Sequence, residues 1–308
     1  MTAVSSFTID LTRVPAPQII ETFGFDRLLS DTRDKFLEYW AAERTKNPAL
    51  PAYNVEKLRG NPVNFILSSR AYREGLLRQR INEAVAAVLA PLAHRTDLDN
   101  VVARAGIERL VVTPATTSSP AIMESDERLL LRYLLAFARP AAGSADRYLL
   151  EVYTALPTLQ HAAVNGPAVH GRRGDVDVVL AGPNGRDLTD DELAACRSAI
   201  LATNVKPEAV AVVTLRARRI VYDLSGSILV PRGPDPETVR VEAERRIGDV
   251  AAERMKIGAI APLTAFAGAA YGAGVTRASI DAPADDIVAD SYSIPVLGDL
   301  ALTAEAQA

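Results

Sequence analysis

Residues 71–112, AYREGLLRQRINEAVAAVLAPLAHRTDLDNVVARAGIERLVV, read as one long amphipathic helix, a short break, and a second helix that runs into a β-type segment. Apolar residues recur there at spacings of three and four, the period of one helix face. The first helix starts at Pro62 and runs to about Ala90. Leu77, Ile81, Ala84 or Val85, Val88 and Leu92 form its stripe, while Arg73, Glu74, Arg78, Arg80 and Glu83 cover other faces. Pro91 ends or kinks it, because proline lacks the backbone donor and clashes with the preceding turn. Thr96 caps the next helix, with Asp97 and Asp99 in the first turn, where the helix dipole favours carboxylates. Gly106 closes it. No catalytic group is concentrated in this stretch, and its segregated charges and apolar residues are the pattern of a docking helix.

Before it, residues 1–18 form an extended arm containing Pro15 and Pro17. Phe7, Ile9, Leu11 and Val14 anchor it either on a neighbour or on its own domain. Residues 19–46 are helical, with Phe25, Leu28, Leu29, Phe36, Tyr39 and Trp40 near helical spacing. A connector follows at 47–62, pinned by Tyr53 and Leu58. The aromatic cluster of Phe23, Phe25, Phe36, Tyr39 and Trp40 is either a buried helix face or an interface, since aromatics are favoured interface anchors. The helices before residue 112 are too few and too elongated to bury all their apolar faces alone.

After it, a domain boundary falls near Val112 to Ser119. The expected organisation is an N-terminal arm and helical region (1–112), a middle helical and mixed domain (113–174), and a C-terminal α+β domain (175–308). Helices are expected at 125–138 and 146–156. LQHAAVNG (159–166) and the alternating DVDVVLAG (175–182) read as strands. Thr189 caps a helix to Ala202, and residues 209–230 alternate over a length that suggests two neighbouring strands. A helix at 238–255 presents Val239, Ala243, Ile247 and Val250. A shorter helix opened by Pro262 carries Leu263, Phe266, Ala270 and Tyr271. Strands near 275–281 and 291–297 complete an α+β sandwich of ferredoxin-like type.

Composition narrows the function. The 308 residues carry a net charge of −4, which argues against nucleic acid or an anionic membrane as main partner. No apolar run approaches the roughly 20 residues that span a bilayer. The N-terminus lacks the basic and apolar regions of a secretory signal, so folding in a reducing cytosol is expected. A single cysteine, Cys196, excludes an intrachain disulfide framework and cysteine-based zinc sites. Its helix reads as apolar, which makes it a small buried residue. His94 lies at a helix break and reads as a C-terminal cation, and His161 lies in an apolar stretch. His170 precedes Asp175 and Asp177, the one grouping that suggests a small-molecule or metal-binding enzyme or sensor. The alternation of DVDVV, however, puts both aspartates on a solvated strand face. Gly268, Gly272 and Gly274 do not match a dinucleotide fingerprint and follow a helix. Arg216, Arg218 and Arg219 fall on an exposed strand face or hairpin tip with no aromatic run to stack on bases. No catalytic residue, cofactor-binding residue or metal ligand is assigned.

The chain resembles the J-like baseplate assembly proteins of contractile-tailed bacteriophages and R-type pyocins. The likeness rests on Tyr72–Glu74, the core Leu76–Ala84, the turn Asp97–Val101 and the exit Gly106–Leu110. It extends to the opening FTIDLTRVPAPQIIETFGFDRLL and to residues 205–247, with their Gly-Pro-Asp helix start. The middle, RLLLRYLLAFARPAAGSADRYLLEVYTAL, is more apolar than is usual in the family. The resemblance implies a non-enzymatic baseplate wedge subunit. Two copies would join one smaller I-like partner through an N-terminal helical bundle, and wedges would link through their C-terminal domains into a sixfold ring around the central spike hub. Contact with a sheath-initiator-like protein, and a relay of the trigger for sheath contraction, are implied with it. The resemblance thereby makes Tyr72, Leu77, Ile81, Val85, Val88 and Leu92 the partner face of the bundle helix, with Phe25, Leu29, Phe36 and Trp40 on the first helix. It places the chain in the virion tail baseplate after assembly in the bacterial cytoplasm. The same assembly role would also suit a type VI secretion or extracellular injection baseplate.

Overall fold

The computed structural model describes residues 15, 17–53, 61–137 and 141–307. The expected anchors Phe7, Ile9, Leu11, Val14 and Leu58 lie outside the described residues. The chain divides into two compact units at Gly106/Ile107.

The first unit is helical: α1 (Phe25–Lys46), α2 (Pro62–Ala87) and α3 (Thr96–Ala103). The start of α2 is set locally. The Asn61 side chain accepts from the Val63 amide at 3.0 Å, and Pro62 occupies the first turn, where its missing N–H costs nothing. Leu28 and Leu29 of α1 bury against Leu67 and Ala71 of α2, with Phe23, Phe36 and Val63 at the margin. The two helices run antiparallel. Arg33 donates to Asn64 near the start of α2, whereas Glu21, before α1, pairs with Arg78 (2.6 Å) and exchanges hydrogen bonds with Asn82 further along. At α3 the capping differs from expectation. Arg95 occupies the cap with φ 52° and makes no side-chain capping hydrogen bond, and Thr96 is already helical. Gly106 takes φ 65°, the left-handed conformation that glycine adopts at little cost.

The second unit is mixed. A short antiparallel ribbon, β1 (Val111–Thr113) with β2 (Ile122–Met123), leads into α4 (Asp126–Ala136) and α5 (Ala145–Ala155). Each of these helices is capped by a serine side chain, Ser125 or Ser144. A three-stranded sheet follows, made of β3 (His161–Asn165), β4 (Asp175–Ala181) and β5 (Ala211–Arg216). Here β4 is central, antiparallel to β3 and parallel to β5. Between the strands lie α6 (Pro167–His170) and α7 (Asp190–Ile200). Thr189 and Glu192 form a reciprocal capping box at the start of α7.

A second three-stranded sheet contains β6 (Arg218–Val230), β8 (Arg277–Ala282) and β10 (Ser293–Ala306). The central β6 is parallel to β10 and antiparallel to β8. The helices α8 (Pro236–Arg254) and α9 (Leu263–Ala270) cover it, and β7 (Ile260–Ala261) pairs with β9 (Ile287–Val288). The main core joins Leu224, Ile228 and Val230 to Ala243, Ile247 and Phe266. Residues 209–230 thus supply two strands that belong to different sheets and turn at buried Ala217. The mixed α+β character matches expectation, and the described strands form two three-stranded sheets and two short ribbons.

Candidate interaction surface

Helix α2 buries one side against α1 and exposes large apolar residues over much of the rest. At about 100° per residue, Leu77, Ile81 and Val88 fall on one flank, roughly 80–120° round from the buried Ala71. They are 63%, 54% and 62% exposed. Phe65, Tyr72 and Leu76 fall on the opposite flank and are exposed too. The expected single stripe is therefore divided. Leu77, Ile81 and Val88 share a flank, Tyr72 lies on the other, Val85 is half-buried, and Leu92 lies beyond the helix end, also half-buried. Phe65 and Ile66, which the spacing argument left out, extend the apolar surface toward the start of the helix. Phe65, Ile66, Ser69, Arg70, Arg73, Glu74 and Leu77 line an open concavity of about 720 Å³.

On α1, Phe25 is exposed and Leu29 is buried in the helix pair. Phe36 stacks on Trp40 with centroids 5.9 Å apart, and Trp40 meets Tyr53 at 5.0 Å. The Trp40 indole donates to the Pro51 carbonyl at 2.8 Å, so the connector is fastened to α1 at Tyr53 as the sequence suggested.

The charges of α2 are unevenly neutralised. Arg78 pairs with Glu74 and Glu21, and Arg80 with Glu83. Arg70 and Arg73 have no carboxylate partner among the described residues, and both are exposed.

The alternative site around His170 has a different character from the one expected. Asp177 is not on a solvated face. It is buried on the central strand β4, where both of its carboxylate oxygens accept from Arg172 (2.7 and 2.6 Å) and one also accepts from the Tyr292 hydroxyl (2.8 Å). Burial raises the pKa of this carboxyl, but the Arg172 and Tyr292 hydrogen bonds outweigh that, and it lies below its ordinary value. Asp175 pairs with the same Arg172 at 3.0 Å. His170 accepts from the Arg172 amide on Nδ1 and contacts the Asn165 carbonyl through Nε2, so its tautomer is fixed with the proton on Nε2. Asn165 donates to the Ser291 carbonyl at 2.7 Å. These groups neutralise one another and fasten β3 and β4 to the approach to β10. Among the described residues no group of three or more metal-ligating side chains converges.

The other candidates are structural. Half-buried His161 accepts from the Ile257 amide through Nδ1 (3.2 Å), and desolvation pushes its pKa down to about 4, helped by nearby Lys256 and Arg128. Cys196 is fully buried in α7, and burial pushes its thiol up to about 11. Arg216 and Arg218 are paired with Asp190 and Asp290. No described helix is long and apolar enough to cross a membrane.

Comparison with known proteins points the same way as α2. A family model described as the baseplate J-like N-terminal domain matches residues 60–116, which contain α2, α3 and β1. Baseplate protein J of Escherichia phage P2 is 29% identical over 299 residues, spanning 92% of this chain and 93% of that protein.

Proposed function

We propose that the chain, which is similar to the baseplate J-like N-terminal domain over residues 60–116 and to phage P2 baseplate protein J along most of its length, serves as a J-like wedge subunit of a contractile tail or a related injection machine. As a tail-baseplate component its role is structural, not enzymatic. In the proposed assembly two copies join a smaller I-like tail protein through their N-terminal helices. The wedges close into a sixfold ring around the central spike hub, beside a sheath-initiator-like protein, and the ring relays the trigger for sheath contraction. Residues 1–112 supply the bundle, 113–174 a middle region and 175–308 the ring links. The site of action is the virion tail baseplate, after assembly in the bacterial cytoplasm.

The observation that carries this reading is the unpartnered apolar surface of α2. Leu77, Ile81 and Val88 on one flank and Tyr72 on the other are exposed in the isolated chain, and an exposed apolar surface of this extent marks an interaction site. Val85 and Leu92 continue it, and Phe25, Phe36 and Trp40, backed by Leu29, add the contribution of α1. Burial of each exposed leucine or isoleucine in a bundle is worth about 1.5–3 kcal/mol.

Co-purification with the smaller partner tests the proposal. Leu77→Asp and Ile81→Asp are expected to leave the second unit folded and to abolish wedge formation. Normal wedges from both variants would refute the bundle assignment.

A further inference from the structure

The two exposed flanks of α2 differ in charge. On the flank of Leu77, Ile81 and Val88 lie also Ile66, Arg70 and Arg73. All six fall within about 40° of one line along the helix, at helical spacings of three, four and seven. Ile66 is 68% exposed. The opposite flank, with Phe65, Ser69, Tyr72 and Leu76, carries no charge until Glu83, which is paired with Arg80.

The arginines are the informative part. The other two arginines of α2 beyond Tyr72's neighbour Arg73, namely Arg78 and Arg80, are each answered by a glutamate of the same unit. Arg70 and Arg73 sit beside the most exposed apolar residues of their flank and are answered by no described carboxylate. Covering this flank with an uncharged helix would strip water from two guanidinium groups and return nothing. An occupant with carboxylates at the margins of its apolar stripe would instead gain charge-assisted, bidentate hydrogen bonds. The same flank of a second copy, laid alongside in register, would bring four arginines together, and like-charge juxtaposition of this kind excludes wrong partners.

We infer that the flank Ile66, Arg70, Arg73, Leu77, Ile81 and Val88 receives an amphipathic helix whose apolar stripe is bordered by carboxylates, supplied by a chain other than a second copy of this one. This rests on the bundle reading of α2 and adds what selects the partner. The apolar residues supply adhesion, and Arg70 and Arg73 supply choice.

The test uses the full chain and two synthetic amphipathic peptides. They share one leucine stripe at heptad spacing, and one carries glutamates and the other lysines at the flanking positions. Binding is read by fluorescence anisotropy at low and high salt. The wild type is expected to prefer the glutamate peptide by about tenfold at low salt, with the preference shrinking as salt screens it. Arg70→Glu/Arg73→Glu should reverse the preference, and circular dichroism should show the fold unchanged. Equal affinity for both peptides, binding of neither, or an unaltered preference in the double variant would overturn the inference. So would sedimentation showing a wild-type dimer that the double variant loses, since a second copy would then be the occupant. Leu77→Asp separates the two levels. If it leaves glutamate-peptide binding intact, the bundle reading of this flank is wrong. If it abolishes binding while the charge preference is absent, only the selectivity inference fails.

Discussion

The Arg132 guanidinium lies 2.8 Å from the Glu124 carboxylate, and the two side chains are only 4% and 0% exposed. The pair does more than neutralise itself. Arg132 also donates to the Glu108 carbonyl at 3.0 Å, and Glu124 accepts from the Leu110 amide at 3.1 Å. Arg109 reaches the Glu124 carbonyl and the Asp126 carboxylate. The opening of the second unit, β2 and α4 are thereby held by one buried charge network.

Removing one member of this network strands the other in the interior. Glu124→Ala is expected to cost about 3–5 kcal/mol of stability in urea unfolding, because Arg132 loses its counter-charge. Glu124→Leu/Arg132→Met together should cost less than Glu124→Ala alone. A double variant worse than that single would show that hydrogen bonding to the backbone, and not the charge pair, dominates.

Neutral His161 gives the second unit a pH dependence. Its folded pKa of about 4 lies below the ordinary histidine value, so the unfolded chain takes up a proton first as pH falls. The stability contribution is full above about pH 6.5 and is lost progressively between there and pH 4. Unfolding free energy should fall by up to about 2 kcal/mol from pH 7 to pH 5, and His161→Asn should flatten that slope. An unchanged slope in the variant would assign the effect to other groups.

The Cys196 thiol is expected to be inert. Being buried, with its pKa pushed up to about 11, it should react with a disulfide reagent only after unfolding. Stoichiometric labelling of the native chain within minutes would contradict its placement.

Leu77→Asp should change the stability of the isolated chain by no more than about 1 kcal/mol, because the side chain is exposed. Cys196→Asp, by contrast, should unfold α7. The comparison, followed by thermal melts, separates an interface residue from a core residue by measurement.

The sequence made the local features legible and hid the distant ones. Pro62, Thr189 and the Gly-Pro-Asp turn mark helix starts through local chemistry, and helices begin at Pro62, Asp190 and Pro236. The shared flank of Leu77, Ile81 and Val88 on α2 followed from its period, whereas Tyr72, Val85 and Leu92 fell elsewhere. What that period could not show is which apolar side α1 covers, so Leu29 and Leu77 looked alike although one is buried and the other exposed. Asp177 was misread because alternation distinguishes two faces only on a half-exposed strand, and β4 is buried along most of its length. Its partner Tyr292 lies 115 residues away, beyond any local pattern. The β6–β10 pair, which joins Arg218 to Ser293, escaped for the same reason.

The central claim is that α2 is an assembly helix of a baseplate wedge. Electron cryomicroscopy of the assembled particle tests it most directly. The expected map places this chain between the hub and the sheath, with Leu77, Ile81 and Val88 buried against helices of other chains and two copies in each sixth of the ring. A map in which α2 faces solvent, or in which the chain lies outside the baseplate, would contradict it.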